Sequence, residues 1–96
     1  MKIVLNDVTE EVVDRLEDAL SDLVNAHTYI WEGTANDVYR FEIEVDEYPI
    51  IDDRDYILEH VDILFKSGYY FLEIMNARQV STVDFKYNEV GSVVIV

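Results

Sequence analysis

Cysteine is absent from this chain of 96 residues, and glycine, proline and basic residues are scarce. Without cysteine there is neither a disulfide nor a thiolate ligand for zinc, which is typical of proteins in a reducing cytosol. The three glycines are too far apart to form a loop that cradles phosphate groups. No apolar run approaches the roughly 18 residues of a membrane helix, and the N-terminal segment lacks the apolar stretch of a signal peptide. We therefore expect a cytoplasmic protein.

The charge balance is the most informative property of the composition. Twenty-one acids face seven bases, which gives a formal net charge of −14, whereas a small soluble domain is comfortable at a magnitude of roughly 2–8. The acids are dispersed among apolar residues, so they belong to folded surfaces rather than to a disordered tail. Direct binding to nucleic acid or to an anionic membrane needs a positive face, so we expect neither. The negative field suits a basic partner protein.

Motifs for catalysis and for metal binding are missing from the sequence. The two histidines do not form an HExxH motif, and no serine lies in a G-x-S-x-G context. Asp53 and Asp55 match the first two positions of a calcium-binding loop, but apolar residues follow where the third ligand and the glycine belong. We therefore expect a protein without enzymatic activity, cofactor or metal ion.

The first half of the chain predicts a strand, a helix and a hairpin. "KIVLN" is typical of a strand, and a helix is predicted from about Val8 to Ala26 with Asp7 as its N-cap. The acids of this helix, Asp14 and Asp18 among them, lie opposite its apolar face. In "YRFEIEVDEY", residues 39–48, apolar and polar residues alternate, which predicts a strand whose apolar side is covered by helices. The polar side of this strand carries a row of acids, namely Glu42, Glu44 and Asp46.

A second helix is predicted over "IIDDRDYILEHVDILFKSG", with Asp52 or Asp53 as its cap and Gly68 at its C-terminal end. The acids of this segment recur at helical spacing and form one stripe: Asp52, Asp55, Glu59 and Asp62. Three strands follow, so the predicted order is β-α-β-β-α-β-β-β. The first six elements resemble the split βαβ arrangement of ferredoxin-like domains, in one domain over residues 1–96. The fold class we predict is α+β, with two helices on one face of a mostly antiparallel sheet and an extra C-terminal β-hairpin.

Two apolar features have two interpretations each. The aromatic residues, which include Trp31, suit either the core of a small domain or an interface, where Tyr and Trp are enriched. The C-terminal "GSVVIV" is apolar on both faces of a strand, and a strand of this kind with an exposed edge would promote aggregation. It is therefore either an interior strand, which we favour, or a strand paired with a second copy in a homodimer.

Three classes of function remain after these exclusions. A rigid protein with rows of carboxylates suits the basic groove of a nucleic-acid-binding protein, since such grooves recognise a regular array of negative charges. In size and composition the chain resembles the small acidic proteins by which phages block restriction, CRISPR or other nucleic-acid-binding machinery. The resemblance implies a DNA mimic or anti-CRISPR type of inhibitor, which acts in the host cytoplasm if a phage encodes it.

The alternatives are an adaptor or subunit with an aromatic or edge-strand interface, and a surface whose acids serve only solubility or a high-salt habitat. We favour the inhibitor of a basic nucleic-acid-binding protein. The residues predicted to contact the partner are Asp14, Asp18, Trp31, Glu42, Glu44, Asp46, Asp52, Asp55, Glu59 and Asp62.

Overall fold

A computed structural model of the protein describes residues 1–21, 23, 26–34, 37–45, 60–76 and 79–96. Among these residues there are seven strands, one α-helix and one short 3-10 helix. The strands form two antiparallel sheets, with the order β2-β3-β1-β7 in the first sheet and β4-β5-β6 in the second. The elements are β1 (Lys2–Thr9), α1 (Glu10–Leu20), β2 (Ala26–Glu32), β3 (Val38–Val45), β4 (His60–Lys66), β5 (Tyr69–Asn76), β6 (Gln79–Lys86), the 3-10 helix (Tyr87–Glu89) and β7 (Ser92–Ile95).

The four-stranded sheet is built around β3, whose apolar residues alternate as the sequence predicts. Phe41, Ile43 and Val45 are buried, and Tyr39 is half-buried. Ile43 lies opposite Ile3 of β1, so the apolar sides of both strands share one face of the sheet. Helix α1 packs on this face, which confirms that a helix covers the apolar side of β3.

Helix α1 begins later and ends earlier than the sequence predicts. Strand β1 continues to Thr9, and the Thr9 hydroxyl caps the helix by accepting a hydrogen bond from the Val12 N–H at 3.4 Å. The predicted cap, Asp7, has a positive φ of 52° where the pairing of β1 with β3 shifts register. Its carboxylate accepts hydrogen bonds from Thr34 instead. The helix ends at Leu20, and it buries Val12, Val13, Leu16 and Leu20.

The three-stranded sheet begins with a tight hairpin. Lys66 lies opposite Tyr69, so only Ser67 and Gly68 connect β4 to β5. Both residues have positive φ, 52° and 82°, as the two central residues of a type I′ turn require. The left-handed backbone expected at Gly68 is therefore present, but it closes a hairpin and does not end a helix.

The predicted ferredoxin-like arrangement, with two helices on one sheet, is wrong. Residues 60–66 belong to strand β4, Ser67 and Gly68 form the turn after it, and residues 50–59 of the predicted second helix lie outside the described residues. Val61 and Ile63 are buried, whereas Asp62 and Leu64 are exposed, which is the alternation of a strand. Apolar residues at positions 61, 64 and 65 also fit a helix, so the local pattern did not distinguish the two structures. Residues 60–66 form a strand because they pair with β5.

Both sheets and α1 contribute to one hydrophobic core. Leu16 of α1, Leu72 of β5 and Phe85 of β6 are almost completely buried members of the same cluster. Helix α1 contacts the four-stranded sheet on one side and β6 on the other. The described part of the molecule is elongated, with principal extents of 47 × 27 × 23 Å.

The C-terminal strand lies at an edge and not in the interior of a sheet. Within the described ranges, β7 pairs with β1 and no strand pairs with its other side. The predicted extra hairpin is also wrong, because β6 and β7 belong to different sheets. Asn6 and Gly91 determine this change of sheet, since the Gly91 N–H donates to the Asn6 carbonyl at 2.8 Å and directs the chain to β1.

Candidate functional site

The exposed side of α1 is a dense group of carboxylates. Amphipathic spacing places the apolar residues of the helix in the core and its acids in solvent. Two of these acids lie in the first turn, where the positive end of the helix dipole stabilises negative charge. We call the exposed acids of α1 the acidic helix face, and they are Glu10, Glu11, Asp14, Glu17 and Asp18.

Arg15 is the only base on α1, and its guanidinium contacts β6 and the 3-10 helix. Its Nη1 donates to the backbone carbonyl of Asp84 at 2.8 Å, and its Nη2 forms an ion pair with the Glu89 carboxylate at 3.1 Å. These contacts hold the guanidinium between α1 and β6. The partners of Arg15 in these contacts are thus Asp84 and Glu89, and neither lies on α1.

An open groove runs between α1 and the chain around β6. Its larger part has a volume of about 800 Å³ and is lined by Glu11, Asp14, Asp84 and Glu89 together with other residues. A second part of about 540 Å³ extends past Asp18 and shares Arg15 and Asp84 with the first. Four carboxylates of the larger part face two bases, Arg15 and Lys86, so the groove continues the negative surface of the helix.

One acid of the row predicted on the open face of the four-stranded sheet is buried and paired. Glu42, on β3, is only 5% exposed, and both neighbouring bases bind its Oε1. Arg40 Nη2 lies 2.7 Å from this oxygen, and Lys2 Nζ lies 3.2 Å from it. The hydrogen bond from Arg40 lowers the pKa of Glu42 most strongly, burial opposes this, and Lys2 lowers the pKa further. Glu42 is thus a paired structural carboxylate.

Replacing Glu42 with glutamine should make the stability of the protein less sensitive to acid. A carboxyl group whose pKa is lower when folded stabilises the protein above its unfolded pKa, and this contribution is lost as pH falls through the folded pKa. Urea unfolding from pH 7 down to pH 3 should therefore show a shallower loss of stability in Glu42→Gln than in the wild type. The exposed Glu44→Gln is the matched control, and equal slopes in the two variants would contradict the prediction.

An aromatic group lies beside Glu42 on the same face. The rings of Tyr29 and Trp31, both on β2, stack with centroids 5.9 Å apart, and the Arg40 guanidinium lies 5.9 Å from the Trp31 ring centroid. Trp31 is 48% exposed. We call Tyr29, Trp31 and Arg40 the aromatic patch. Its residue types are those enriched at protein–protein interfaces.

Comparisons with protein-family models, curated proteins and solved structures found no match to this chain. Within the described ranges, no group of three or more His, Asp or Glu residues could hold a metal ion. In the same ranges, no helix has the length and apolar character needed to cross a membrane.

The structure describes six of the ten residues predicted to contact a partner. Asp14 and Asp18 are exposed on α1, and Glu44 is exposed on β3. Asp62 is exposed on β4, where its carboxylate accepts a hydrogen bond from the Ile63 N–H at 2.9 Å. The other four acids predicted to contact a partner lie outside the described residues, and they are Asp46, Asp52, Asp55 and Glu59.

The sequence analysis missed the groove and its acids Asp84 and Glu89. These residues follow Arg15 by 69 and 74 positions, so no local pattern connects them. One signal was available, because Arg15 is a single base among the acids of an otherwise acidic helix face. A lone base of this kind indicates an ion pair with a distant acid.

Proposed function

We propose that this protein is a non-enzymatic inhibitor that occupies the basic nucleic-acid-binding surface of a partner protein. The observation that carries the proposal is the acidic helix face, whose five exposed carboxylates lie on a helix with its single base turned into the groove beside β6. The groove adds the exposed Asp84 to the same negative region, whereas Glu89 is paired with Arg15.

The density of carboxylates on α1 is close to that of phosphates on DNA. Glu10 and Asp18 are eight residues apart, so the five acids extend over about 12 Å of helix axis. Duplex DNA carries about seven negative charges over a similar length, at one charge per about 1.7 Å. A basic groove that binds DNA would thus meet a comparable number of negative charges on α1.

The acids are also attached to a rigid element. Helix α1 is fixed by the burial of four apolar residues and by the Arg15 contacts with β6 and the 3-10 helix. A partner therefore does not have to order the backbone that presents the charges, and less conformational entropy is lost on binding. The exposed position of the carboxylates favours fast, salt-sensitive association.

Competition with DNA tests this function directly. The full chain is immobilised, proteins of the cells that carry its gene are captured at low salt, and duplex DNA is added to the bound fraction. We expect duplex DNA to release a captured nucleic-acid-binding protein, because DNA and this protein compete for the same basic surface. High salt should release it as well, because salt screens the attraction between the opposite charges. A captured partner that binds duplex DNA and this protein at the same time would contradict mimicry, and so would binding that is insensitive to salt.

The aromatic patch favours a second candidate function, that of an adaptor or subunit. A stacked Tyr–Trp pair with an arginine beside it provides rigid contact area of the type that dominates interfaces. In this interpretation the acids contribute solubility and a faster on-rate. Binding that is lost in Trp31→Ala and retained after neutralisation of α1 would favour the adaptor over the inhibitor.

A further inference from the structure

We propose that two copies of this chain associate through the outer edges of their β7 strands. The two strands would pair antiparallel and join the two four-stranded sheets into one continuous sheet of eight strands. Strand β7 has unpaired outward backbone groups within the described ranges, no charged side chain and exposed apolar residues.

The hydrogen bonds of β7 with β1 define which backbone groups face outward. Lys2 and Val96 exchange two hydrogen bonds, with N–O distances of 3.1 and 2.8 Å. In an antiparallel pair the hydrogen-bonded and non-bonded positions alternate. Val94, opposite Val4, is therefore bonded to β1, whereas Val93 and Ile95 direct their N–H and C=O groups away from it. No strand in the described ranges pairs with these outward groups.

The edge of β7 is short, at four residues, but it lacks the charged side chains and proline that protect many exposed strands. Natural edges are blunted by charged side chains, by proline or by a covering element. Residues 90–96 contain no charged side chain and no proline. The apolar residues at this edge are nevertheless exposed, with Val94 at 46%, Ile95 at 48% and Val96 at 77%.

The other edge strands differ from β7 in this respect. The edge strand β4 carries the exposed charged residues Asp62 and Lys66. The edge strand β2 carries the exposed Glu32. Strand β6 lies beside α1, and Arg15 already donates to its Asp84 carbonyl. Strand β7 is thus the uncharged edge of the described part of the chain.

The charge distribution favours a second copy as the occupant of this edge. Two chains with a net charge of −14 repel each other over most of their surfaces. Repulsion is weakest where acids are absent, and the four residues of β7 carry none. A short strand of β-branched residues, Val93, Val94 and Ile95, also pairs well with an identical strand.

The outward groups determine the register of the dimer. Val93 of one copy would exchange two hydrogen bonds with Ile95 of the other, and the two-fold axis would pass between the two Val94 residues. The two Val94 residues then form a non-hydrogen-bonded pair, whose Cα atoms lie about 4.5 Å apart. Because this axis is perpendicular to the sheet, both copies of α1 lie on the same side. If the proposed function is correct, a dimer would present two acidic helix faces to one partner.

Two variants test the dimer and its register. The chain has no cysteine, so Val94→Cys introduces the only thiol, and oxidation should yield a disulfide-linked dimer of twice the 11.2 kDa chain mass. Val80→Cys is the matched control, because Val80 is similarly exposed but lies on β6, away from the proposed contact. This variant should form far less of the disulfide-linked dimer. Equal cross-linking of the two variants would overturn the register.

Ile95→Pro removes an N–H that points away from β1, so it leaves the internal sheet intact and blocks the pairing of two copies. Sedimentation equilibrium should show a wild-type dimer, with a dissociation constant raised about tenfold or more in Ile95→Pro. Circular dichroism checks that the variant is folded. If Ile95→Pro does not fold, the two cysteine variants decide. A wild-type protein that sediments as a monomer would overturn the dimer without bearing on the competition with DNA.

Discussion

Replacing Phe41 with alanine should lower the free energy of unfolding by about 3–5 kcal/mol, the range for deleting a buried phenylalanine side chain. Phe41 is fully buried at the centre of β3, between β1 and β2 and beneath α1. Its removal takes away apolar contacts and leaves a cavity that the paired strands cannot easily fill. Domains of this size are stable by only about 5–15 kcal/mol, so the variant should be close to unfolding.

Urea unfolding followed by circular dichroism measures this effect. The matched control is Ile30→Ala, because Ile30 lies directly opposite Phe41 on the edge strand β2 and is 39% exposed. We expect the control to cost about 1 kcal/mol or less, since a partly exposed side chain loses little burial. Equal losses in the two variants would contradict the position of Phe41 in the core.

Neutralising the acidic helix face should weaken binding to the basic partner by about 100-fold. Exposed charge pairs contribute about 0.2–1 kcal/mol each, and five such pairs correspond to roughly two orders of magnitude in affinity. The salt dependence of binding should flatten as well, because fewer charge pairs remain to be screened. The variant replaces each Glu with Gln and each Asp with Asn at residues 10, 11, 14, 17 and 18.

The control for this variant removes the same number of charges elsewhere. Five acids outside α1 are converted in the same way, which changes the net charge equally and includes two residues from the predicted rows. Isothermal titration calorimetry with the captured partner measures the affinity of each variant and of the wild type. A larger loss of affinity in the control would locate the contact away from α1. The acids of the control are Glu32, Asp37, Glu44, Asp62 and Glu73.

The sequence predicted the elements whose pattern is local. Strand β3 alternates apolar and polar residues over the seven positions from Tyr39 to Val45, and a strand is the only regular structure with that period. Helix α1 likewise shows apolar residues at helical spacing, so its buried side and its acids were identified correctly. The predicted start is two residues too early, because Asp7 is at least as good an N-cap as Thr9 in sequence, whereas the pairing of β1 with β3 extends to Thr9.

The predicted second helix failed because its local pattern is ambiguous. Val61, Leu64 and Phe65 match one side of a helix, and Val61, Ile63 and Phe65 match one side of a strand. A two-residue turn at Ser67 and Gly68 brings β5 against β4, and backbone hydrogen bonds along seven residue pairs then stabilise the strand. This partner lies later in the chain, so a single segment contains no information about it.

In the candidate site, too, some properties follow from the local sequence and others from tertiary contacts. The charge of −14, its dispersal and the acids of α1 are properties of the sequence alone, because composition and helical spacing determine them. The tertiary structure decided that Glu42 is buried between Lys2 and Arg40, that Arg15 reaches Asp84 and Glu89, and that β7 lies at an edge. These features depend on contacts between residues far apart in the chain. Only the packing of the sheets determines which acids are paired and which remain in solvent.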